Sequence, residues 1–344
     1  MNSLQKILLL TSAVTSALLV SACSDSSKDT QVKQKEVVVY TSRKEHLVKP
    51  FFEKFTEETG IPVSYITDSE APLISRLKAE GERTPADIFM TVDAGNLWLA
   101  KKEGVLQPIT SSALENAIPT NLQDPDNYWF GLTVRARTIV YSTERVKDGD
   151  LTTYEQLADD VWKNRLCLRT SKKVYNQSLI ASMIARHGEE ATQAIIEGWV
   201  GNLATDPFSN DTKVMNAILA GKCDVGIVNT YYFGRLQKED PTMPLALFWP
   251  NQNSSGVHVN ISGAGVTKHS DNKDNAIKLL EWLASMQAQQ MYAGENMEYP
   301  ANPKVKATDT VAAWGEFKAD SMNLSEAGEL QGAAVKVMDK AGYK

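Results

Sequence analysis

Histidine and cysteine are scarce in this chain, and their spacing matches no common metal site. The 344 residues include only four histidines and three cysteines. Neither an H-E-x-x-H motif nor a CxxC pair occurs, and there is no Gly-rich phosphate loop and no G-x-S-x-G elbow. These absences argue against a zinc or thiol centre, a phosphate loop and a serine hydrolase of the elbow type. The chain is therefore expected not to be an enzyme.

The chain also lacks the excess of positive charge that is typical of nucleic-acid-binding proteins. It contains 36 Lys and Arg against 42 Asp and Glu, which gives a formal net charge of −6. This sign argues against a nucleic-acid partner. Hydrophobic residues make up 42% of the chain and include seven tryptophans. Together with the length, this composition predicts a well-cored body with room for two domains.

The one long apolar stretch lies at the amino terminus. Lys6 precedes residues 7–20, which are apolar apart from Ser and Thr, and small residues then lead to Cys23. This pattern predicts a signal peptide over residues 1–22, because the stretch is short for a membrane span. The residues before Cys23 resemble a bacterial lipobox, which implies cleavage there and a lipid on that cysteine. An ordinary secretory signal is the alternative, and either one predicts a place in the periplasm or cell envelope.

Residues 23–35 are polar and rich in Ser, Asp and Lys, which is typical of a flexible tether. Beyond them, Cys167 and Cys223 both fall in predicted strands. An oxidising compartment favours a disulfide between them. Two reduced core cysteines are the alternative, and metal binding by these two thiols alone is the least favoured interpretation.

Short β-branched runs alternate with amphipathic segments along the chain, which predicts an α/β fold with parallel strands. A β-α-β-α-β order covers residues 36–102, and a second run of strands and helices covers residues 165–229. Extended segments at 132–141 and 257–266 flank the second run, and a helix is predicted over 275–291. Two such segments crossing between two lobes would form a hinge.

Two α/β lobes joined by a double crossover resemble the bacterial solute-binding proteins that feed ABC importers, and this resemblance implies a two-lobed periplasmic-binding-protein fold of type II. Each lobe is expected to be a mainly parallel sheet flanked by helices, and two crossing hinge strands join the lobes. The predicted N-terminal lobe is 36–133 plus 257–305, and the predicted C-terminal lobe is 134–256 plus 306–344.

Tyrosines supply the candidate ligand groups. The four candidates are Tyr40, Tyr175, Tyr231 and Tyr232, three of which fall just past the carboxyl end of a predicted parallel strand. That edge is where open α/β sheets bind ligands. Adjacent residues of a strand point to opposite faces, so Tyr231 and Tyr232 reach one site only if the chain turns there. Any single tyrosine could instead pack its ring in the core with its hydroxyl at the rim.

Several phenol oxygens in one place favour a hard trivalent cation. Ferric iron prefers anionic oxygen ligands to thiolates and thioethers. A free tyrosine has a pKa of about 10, and an adjacent trivalent charge lowers that pKa, so metal binding should release protons. Four phenolates around a 3+ ion leave one excess negative charge, which calls for a cationic neighbour such as arginine.

Five stretches resemble the periplasmic ferric-iron-binding proteins of the FutA/FbpA type, which feed ABC importers. They are VVVYTSR (37–43), TPADIFMTVDAG (84–95), NYWFGLTVRARTIVY (127–141), VYNQSLIAS (174–182) and NTYYFGRL (229–236). The resemblance extends from residue 37 to about residue 300, and the paired tyrosine is its most specific element. It indicates the tyrosine-rich branch of the family.

The resemblance implies a metal site between the lobes. Its implied ligands are Tyr40 from the first lobe and Tyr175, Tyr231 and Tyr232 from the second, with Arg135, Arg235 and Arg43 as cationic neighbours. Lys44 stands where the histidine-and-glutamate branch has His, and Asp93 falls at the position of the Glu. His46 and Asp93 are therefore only candidate extra ligands, and Asp93 is equally typical of a helix N-cap. Water, carbonate or an open position would complete the metal's shell.

The implied function is capture of Fe(3+) in the envelope and its delivery to an ABC permease and ATPase. The protein would act as a monomer tethered through a lipid on Cys23. A binding protein for an organic cation or an oxyanion is the alternative within this class, since aromatic groups stack on or hydrogen-bond to such ligands. A third interpretation is an envelope hydrolase that uses Asp93 and a tyrosine as general acid and base.

Overall fold

The structure is a computed structural model that describes residues 36–344. Its strands are β1 Val37–Thr41, β2 Val63–Thr67, β3 Ile88–Thr91, β4 Phe130–Ser142, β5 Leu166–Cys167, β6 Val225–Asn229, β7 Leu245–Phe248, β8 Val259–Val266 and β9 Tyr299–Pro300. Its helices are α1 Glu45–Thr59, α2 Glu70–Glu80, α3 Ala94–Lys102, α4 Ser112–Ala117, α5 Val174–Gly201, α6 Asp211–Leu219, α7 Thr230–Glu239, α8 Lys273–Leu283, α9 Met286–Asn296, α10 Asp309–Ala312 and α11 Leu324–Lys340.

The strands form one mixed sheet in the order β2-β1-β3-β8-β4-β6-β5, with β7 and β9 also paired to β4. β1 runs parallel to β2 and β3, and β5 runs parallel to β6. Every antiparallel pair in the described chain involves β4 or β8. The parallel strand pairs in each half agree with the prediction from the alternating strands and helices. The antiparallel pairs arise from the segments that link the halves.

β4 is the strand that links the two halves of the molecule. Its first part pairs with β8, from Phe130 opposite Ala264 to Ala136 opposite Val259. Its second part pairs with β6, beginning with Arg137 opposite Asn229. A 13-residue strand can serve both halves because it is about twice the usual strand length. The two extended segments predicted to cross between the lobes are therefore confirmed as β4 and β8.

Buried apolar side chains form clusters on either side of this crossing. One cluster draws on residues 37–136 and 257–301 together with Leu324. Two further clusters draw on residues 139–245 and 327–343. The division between clusters falls within β4. We call the half built around the first cluster the N-terminal lobe and the other half the C-terminal lobe. The exact residues at which one lobe ends and the other begins stay a prediction.

Three helices show how local sequence affects the course of a helix. Helix α1 begins at Glu45, so Pro50 lies inside the helix, where it has no backbone N–H to donate. The predicted helix over 275–291 is two helices, because Ser285 caps α9 by accepting a hydrogen bond from the backbone N–H of Ala288. Gly188, at φ 80° and ψ 168°, interrupts the helical backbone of α5, so this range consists of two helices joined at a kink.

The predicted disulfide is present. Cys167 in β5 is bonded to Cys223, which lies just before β6, and both are buried in the core of the C-terminal lobe. Cys23, the signal peptide and the tether lie outside the described residues. Among the residues from 36 onward, no helix is both long enough and apolar enough to span a membrane.

A buried histidine, His258, directly precedes strand β8. The Nδ1 atom of His258 is 3.0 Å from the Oγ atom of Ser182 in α5, and its backbone N–H donates to the hydroxyl of Tyr154 at 3.2 Å. Burial lowers the pKa of His258 to about 3, which the carboxylate of Asp320 only partly opposes. The native state therefore holds this histidine neutral.

This burial predicts a loss of stability in acid. The unfolded chain takes up the proton at a pKa of about 6.5 and the native state only near pH 3, so the free energy of unfolding should fall as pH drops through that window. Between pH 7 and pH 5, the parent protein should lose about 2 kcal/mol more than the His258→Gln variant. Urea unfolding at both pH values measures the difference, and equal losses in the two proteins would contradict it.

Candidate functional site

A pocket of about 210 Å³ lies in the cleft between the two lobes. Its N-terminal wall includes Ser42, Arg43 and Lys44, which directly follow β1, and Val92, which follows β3. Its C-terminal wall carries Tyr175, Tyr231, Tyr232 and Arg235, and Arg135 projects from strand β4, which links the two halves. The pocket thus lies at the carboxyl ends of the parallel strands, which is the edge at which open α/β sheets bind ligands.

The three tyrosines come from the first turns of two helices. Tyr231 and Tyr232 open α7, directly after β6 ends at Asn229, and their ring centroids are 4.4 Å apart. Tyr175 is the second residue of α5. The change from strand to helix at Thr230 is the turn that lets both adjacent tyrosines line one pocket. Unpaired N–H groups and the positive end of the helix dipole favour anionic oxygens at such positions.

Arginines surround these rings. The Cζ atoms of Arg135 and Arg169 lie 5.3 and 5.1 Å from the ring centroid of Tyr175. The Cζ atom of Arg235 lies 5.0 Å from the ring centroid of Tyr231 and 5.9 Å from that of Tyr232. Arg135 and Arg169 are buried, whereas Arg235 is exposed. The predicted cationic neighbours Arg135 and Arg235 therefore both lie beside the tyrosines.

Two of the three tyrosines, Tyr175 and Tyr231, have pKa values raised by burial. Burial raises the pKa of Tyr175, and the guanidinium of Arg135 opposes that rise. Burial raises the pKa of Tyr231 well above its usual value, and the neighbouring Tyr175 and Tyr232 add to the effect. A positive ion beside Tyr175 and Tyr231 would lower these two pKa values and favour the phenolates.

The opposite wall presents a buried ion pair. Arg43 is 2% exposed, and its Nη2 atom lies 3.0 Å from the Oε2 atom of Glu298. Its Nη1 atom donates to the hydroxyl of Ser262, which also accepts from Arg135 at 3.1 Å. The Nε atoms of Arg43 and Arg135 are buried without a hydrogen-bond partner. This part of the cleft therefore has donor capacity that the described protein atoms do not satisfy.

Tyr40 requires a correction, because the structure does not bring it to the other tyrosines. It lies inside β1, paired with β2 and β3, rather than past the end of the strand. Its buried hydroxyl donates to the carboxylate of Glu80 at 3.0 Å, and the guanidinium of Arg76 lies over its ring. Burial and the bond to Glu80 raise the pKa of Tyr40 to about 12. The residues that do reach the cleft from β1 are those after Thr41.

The two candidate extra ligands are also directed elsewhere. His46 is exposed on α1 and does not line the cleft pocket. Asp93 is fully buried and caps α3, accepting from the backbone N–H of Asn96 at 3.2 Å. Its carboxylate also accepts from Asn260 at 2.6 Å and Gln331 at 2.8 Å. Among residues 36–344, no group of three or more His, Cys, Asp or Glu side chains converges to hold a metal.

The sequence analysis did not predict the buried network of arginines and Asp211 that lies next to the tyrosines. Asp211 at the start of α6 is fully buried, and its two oxygens lie 3.2 Å from Arg137 and 3.4 Å from Arg169. Asn229 and Glu298 were also missed. The only sequence signal for Arg169 was its place at the end of a predicted strand. Nothing in the spacing of Asp211 indicated that it would face two arginines.

The fold and the cleft define a type II periplasmic binding protein. A family model described as "Bacterial extracellular solute-binding protein" matches residues 83–319. Iron uptake protein A1 of Synechocystis is 42% identical over 341 residues, which cover 96% of this chain and 95% of that protein. The chain belongs to the bacterial extracellular solute-binding proteins, among the ferric-iron-binding proteins of the FutA/FbpA type.

Solved structures agree with this placement. The Trichodesmium protein FutA (IdiA), in complex with iron and citrate ligands, superimposes with a TM-score of 0.86 at 44% identity, covering 90% of this chain and all of that one. Ferric iron-binding protein A of Mannheimia haemolytica, in an open conformation, gives a TM-score of 0.84 at 37% identity, covering 90% of this chain and 99% of that one. The resemblance to this family is thereby confirmed over most of the chain.

Close packing against α7 should make Gly234 intolerant of a side chain. A Cβ atom there would lie 2.6 Å from the ring of Trp314 and 2.8 Å from the sulfur of Met297. Gly234→Ala should therefore lower the free energy of unfolding by about 1–3 kcal/mol, although alanine is the better helix former. Gly294→Ala in α9 is the matched control, because a Cβ there meets nothing within 4 Å. Urea unfolding of both variants should separate them, and equal stabilities would refute the packing argument.

Proposed function

We propose that this protein captures Fe(3+) in the cleft through the phenolate oxygens of Tyr175, Tyr231 and Tyr232. The observation that carries the proposal is the convergence of these three phenols at the starts of two helices in one pocket. Phenolate is a hard anionic oxygen ligand that suits a small trivalent cation. The relatives named as iron uptake and ferric iron-binding proteins support the same cargo. Tyr40 is left out of the proposed site because its hydroxyl is bonded to Glu80.

The charges around the pocket support an additional small anion or water on the metal. Three phenolates neutralise a 3+ ion, so the charge of the arginines is left over. Glu298 balances Arg43, and Asp211 lies between Arg137 and Arg169. Arg135 has no carboxylate within ion-pair distance in the described chain. A carbonate anion on the metal would neutralise this excess positive charge. A water molecule would complete the coordination shell of the metal but would leave the charge unbalanced.

The two walls of the cleft explain how binding is coupled to a change in conformation. The tyrosines lie on the C-terminal wall, and Ser42 to Lys44 lie on the N-terminal wall across the hinge strands β4 and β8. A ligand that contacts both walls stabilises the arrangement in which they are close. A permease with its ATPase would then take the metal from the closed protein and let the lobes part. We propose this role as a monomer in the periplasm.

An oxyanion without metal is the second candidate, because the arginines around the pocket favour negative charge. An organic cation fits less well, since the same guanidiniums repel it. A hydrolase is not supported, because its candidate acid or base, Asp93, is buried and caps helix α3. The carboxylate of Asp93 accepts hydrogen bonds from Asn96, Asn260 and Gln331.

The membrane anchor is proposed from the sequence alone, because Cys23 and its surroundings lie outside the described residues. Lipid on Cys23 would keep the protein at the membrane, with residues 23–35 as its tether. Cys23→Ser should release the protein into the soluble periplasmic fraction while leaving iron binding unchanged, since the cleft lies in a separate part of the chain. Fractionation of cells expressing both forms measures this. A parent protein already found in the soluble fraction would refute the anchor.

The metal site itself is tested by removing single oxygens. Tyr231→Phe and Tyr232→Phe should each weaken the visible charge-transfer band that develops on titration with ferric citrate, because one of three phenolate ligands is lost and the ion is bound less tightly. The ring and its packing remain, so the free energy of unfolding should change by no more than about 1 kcal/mol. Absorption spectroscopy and urea unfolding provide the two measurements.

Tyr40→Phe is the matched control for these variants. It removes a buried phenol oxygen that bonds Glu80 outside the cleft, so the band should develop as in the parent. The proposed ligand set is wrong if Tyr231→Phe and Tyr232→Phe bind iron as the parent does. It is also wrong if Tyr40→Phe loses the band.

A further inference from the structure

Asn229 occupies an unusual position directly behind the proposed ligands. It is the last residue of β6 and the N-cap residue of α7, two positions before Tyr231. Asparagine at an N-cap normally accepts a hydrogen bond from the first turn of the helix. Here the side chain makes no such cap. Its Nδ2 atom instead donates to the phenol oxygen of Tyr231 at 3.4 Å, and the residue is 1% exposed.

The direction of this amide is fixed by its other neighbour. The Nη1 atom of Arg137 donates to the Oδ1 atom of Asn229 at 3.2 Å. A guanidinium has donors only, so the atom facing Arg137 must be the amide oxygen. The amide nitrogen therefore has to face Tyr231, and it can act there only as a donor. The backbone N–H of Asn229 is held as well, by the Oδ2 atom of Asp211 at 2.9 Å.

Arg137 cannot easily turn away, because it is held on several sides. Its Nε atom donates to the Oδ1 atom of Asn176 at 3.0 Å, and its Nη1 atom lies 3.2 Å from Asp211. Arg137 is 2% exposed, Asn176 4% and Asp211 0%. Breaking one partner of such a buried network leaves an unsatisfied group, so the arrangement is rigid. The donor facing Tyr231 is thus presented by a preformed support.

We infer that Asn229 is a positioning residue that donates a hydrogen bond to the Tyr231 oxygen while that oxygen is bound to the metal. The inference rests on the proposed function. One lone pair of the oxygen accepts from Asn229, which leaves another to face the cleft. When Fe(3+) binds, the O–H bond of Tyr231 breaks, the proton passes to solvent, and the oxygen lone pair forms the bond to iron with no change of oxidation state.

A hydrogen bond at this oxygen should have a spectroscopic signature that a purely structural role lacks. The donor stabilises the negative charge of the phenolate, so its removal raises the energy of the electrons that are transferred to Fe(3+) on absorption. Asn229→Leu and Asn229→Asp, each loaded from ferric citrate, should therefore absorb at longer wavelength than the parent. Their affinity for Fe(3+) should fall about tenfold, the lower end for a hydrogen bond to a charged group.

Asn202→Leu is the matched control. Asn202 is 4% exposed in the same lobe, and its Nδ2 atom donates to the carbonyl groups of Leu157 and Asp159 rather than to a tyrosine. This variant should lose stability in urea while its band stays at the parent wavelength, as the inference requires. A shift in Asn202→Leu as large as that in the Asn229 variants would overturn the inference, because the shift would then reflect general loosening.

The two Asn229 variants keep the test decisive. Asn229→Asp retains an oxygen for Arg137, so it provides a folded variant even if Asn229→Leu does not fold. Parental wavelength and affinity in the folded Asn229 variants would overturn the inference while leaving the proposed metal site intact. A parent protein that develops no band at all would instead reject the proposed function, and the inference with it.

Discussion

The antiparallel pairing of β4 with β8 is the constraint on which the rest of the structure depends. β4 is shared by the halves of the molecule, and its pairing with β8 and β6 brings the carboxyl ends of β1 and β3 opposite the carboxyl end of β6. A ladder of backbone hydrogen bonds within a buried sheet does not slip easily, because a shift by one residue would turn every side chain to the other face. The pairing therefore fixes the position of the two walls relative to each other where they meet at β4.

Electrostatics explains why the pocket is built before the metal arrives. Several guanidiniums are buried around three phenols, and burying unbalanced charge is unfavourable. The protein reduces that penalty by setting Asp211 between Arg137 and Arg169 and by pairing Glu298 with Arg43. What remains is an excess of positive charge beside the phenols. In the proposed iron complex the phenols would be anions around a trivalent ion, and the same arginines would stabilise them.

Much of the fold followed from sequence because its signals are local. The alternation of β-branched runs with amphipathic helices predicted the two lobes and the crossing strands, and the paired tyrosines directed attention to the start of α7. The error at Tyr40 arose because a strand's end cannot be located within a residue or two from its pattern, and β1 continues through Thr41. The contacts of Asp211 with two arginines, and the orientation of the Asn229 amide, depend on tertiary neighbours 74 and 92 residues away in the chain, so no local pattern encodes them.

All three phenols that line the cleft belong to a single lobe, and this has a consequence for unloading. Swinging the lobes apart removes the groups of the N-terminal wall from the cargo but strips away none of the phenol oxygens. The ion would stay seated on the C-terminal lobe after the hinge has opened. Discharge therefore needs a second chemical event at that lobe, such as reprotonation of the oxygens, reduction of the metal or its transfer to a competing acceptor.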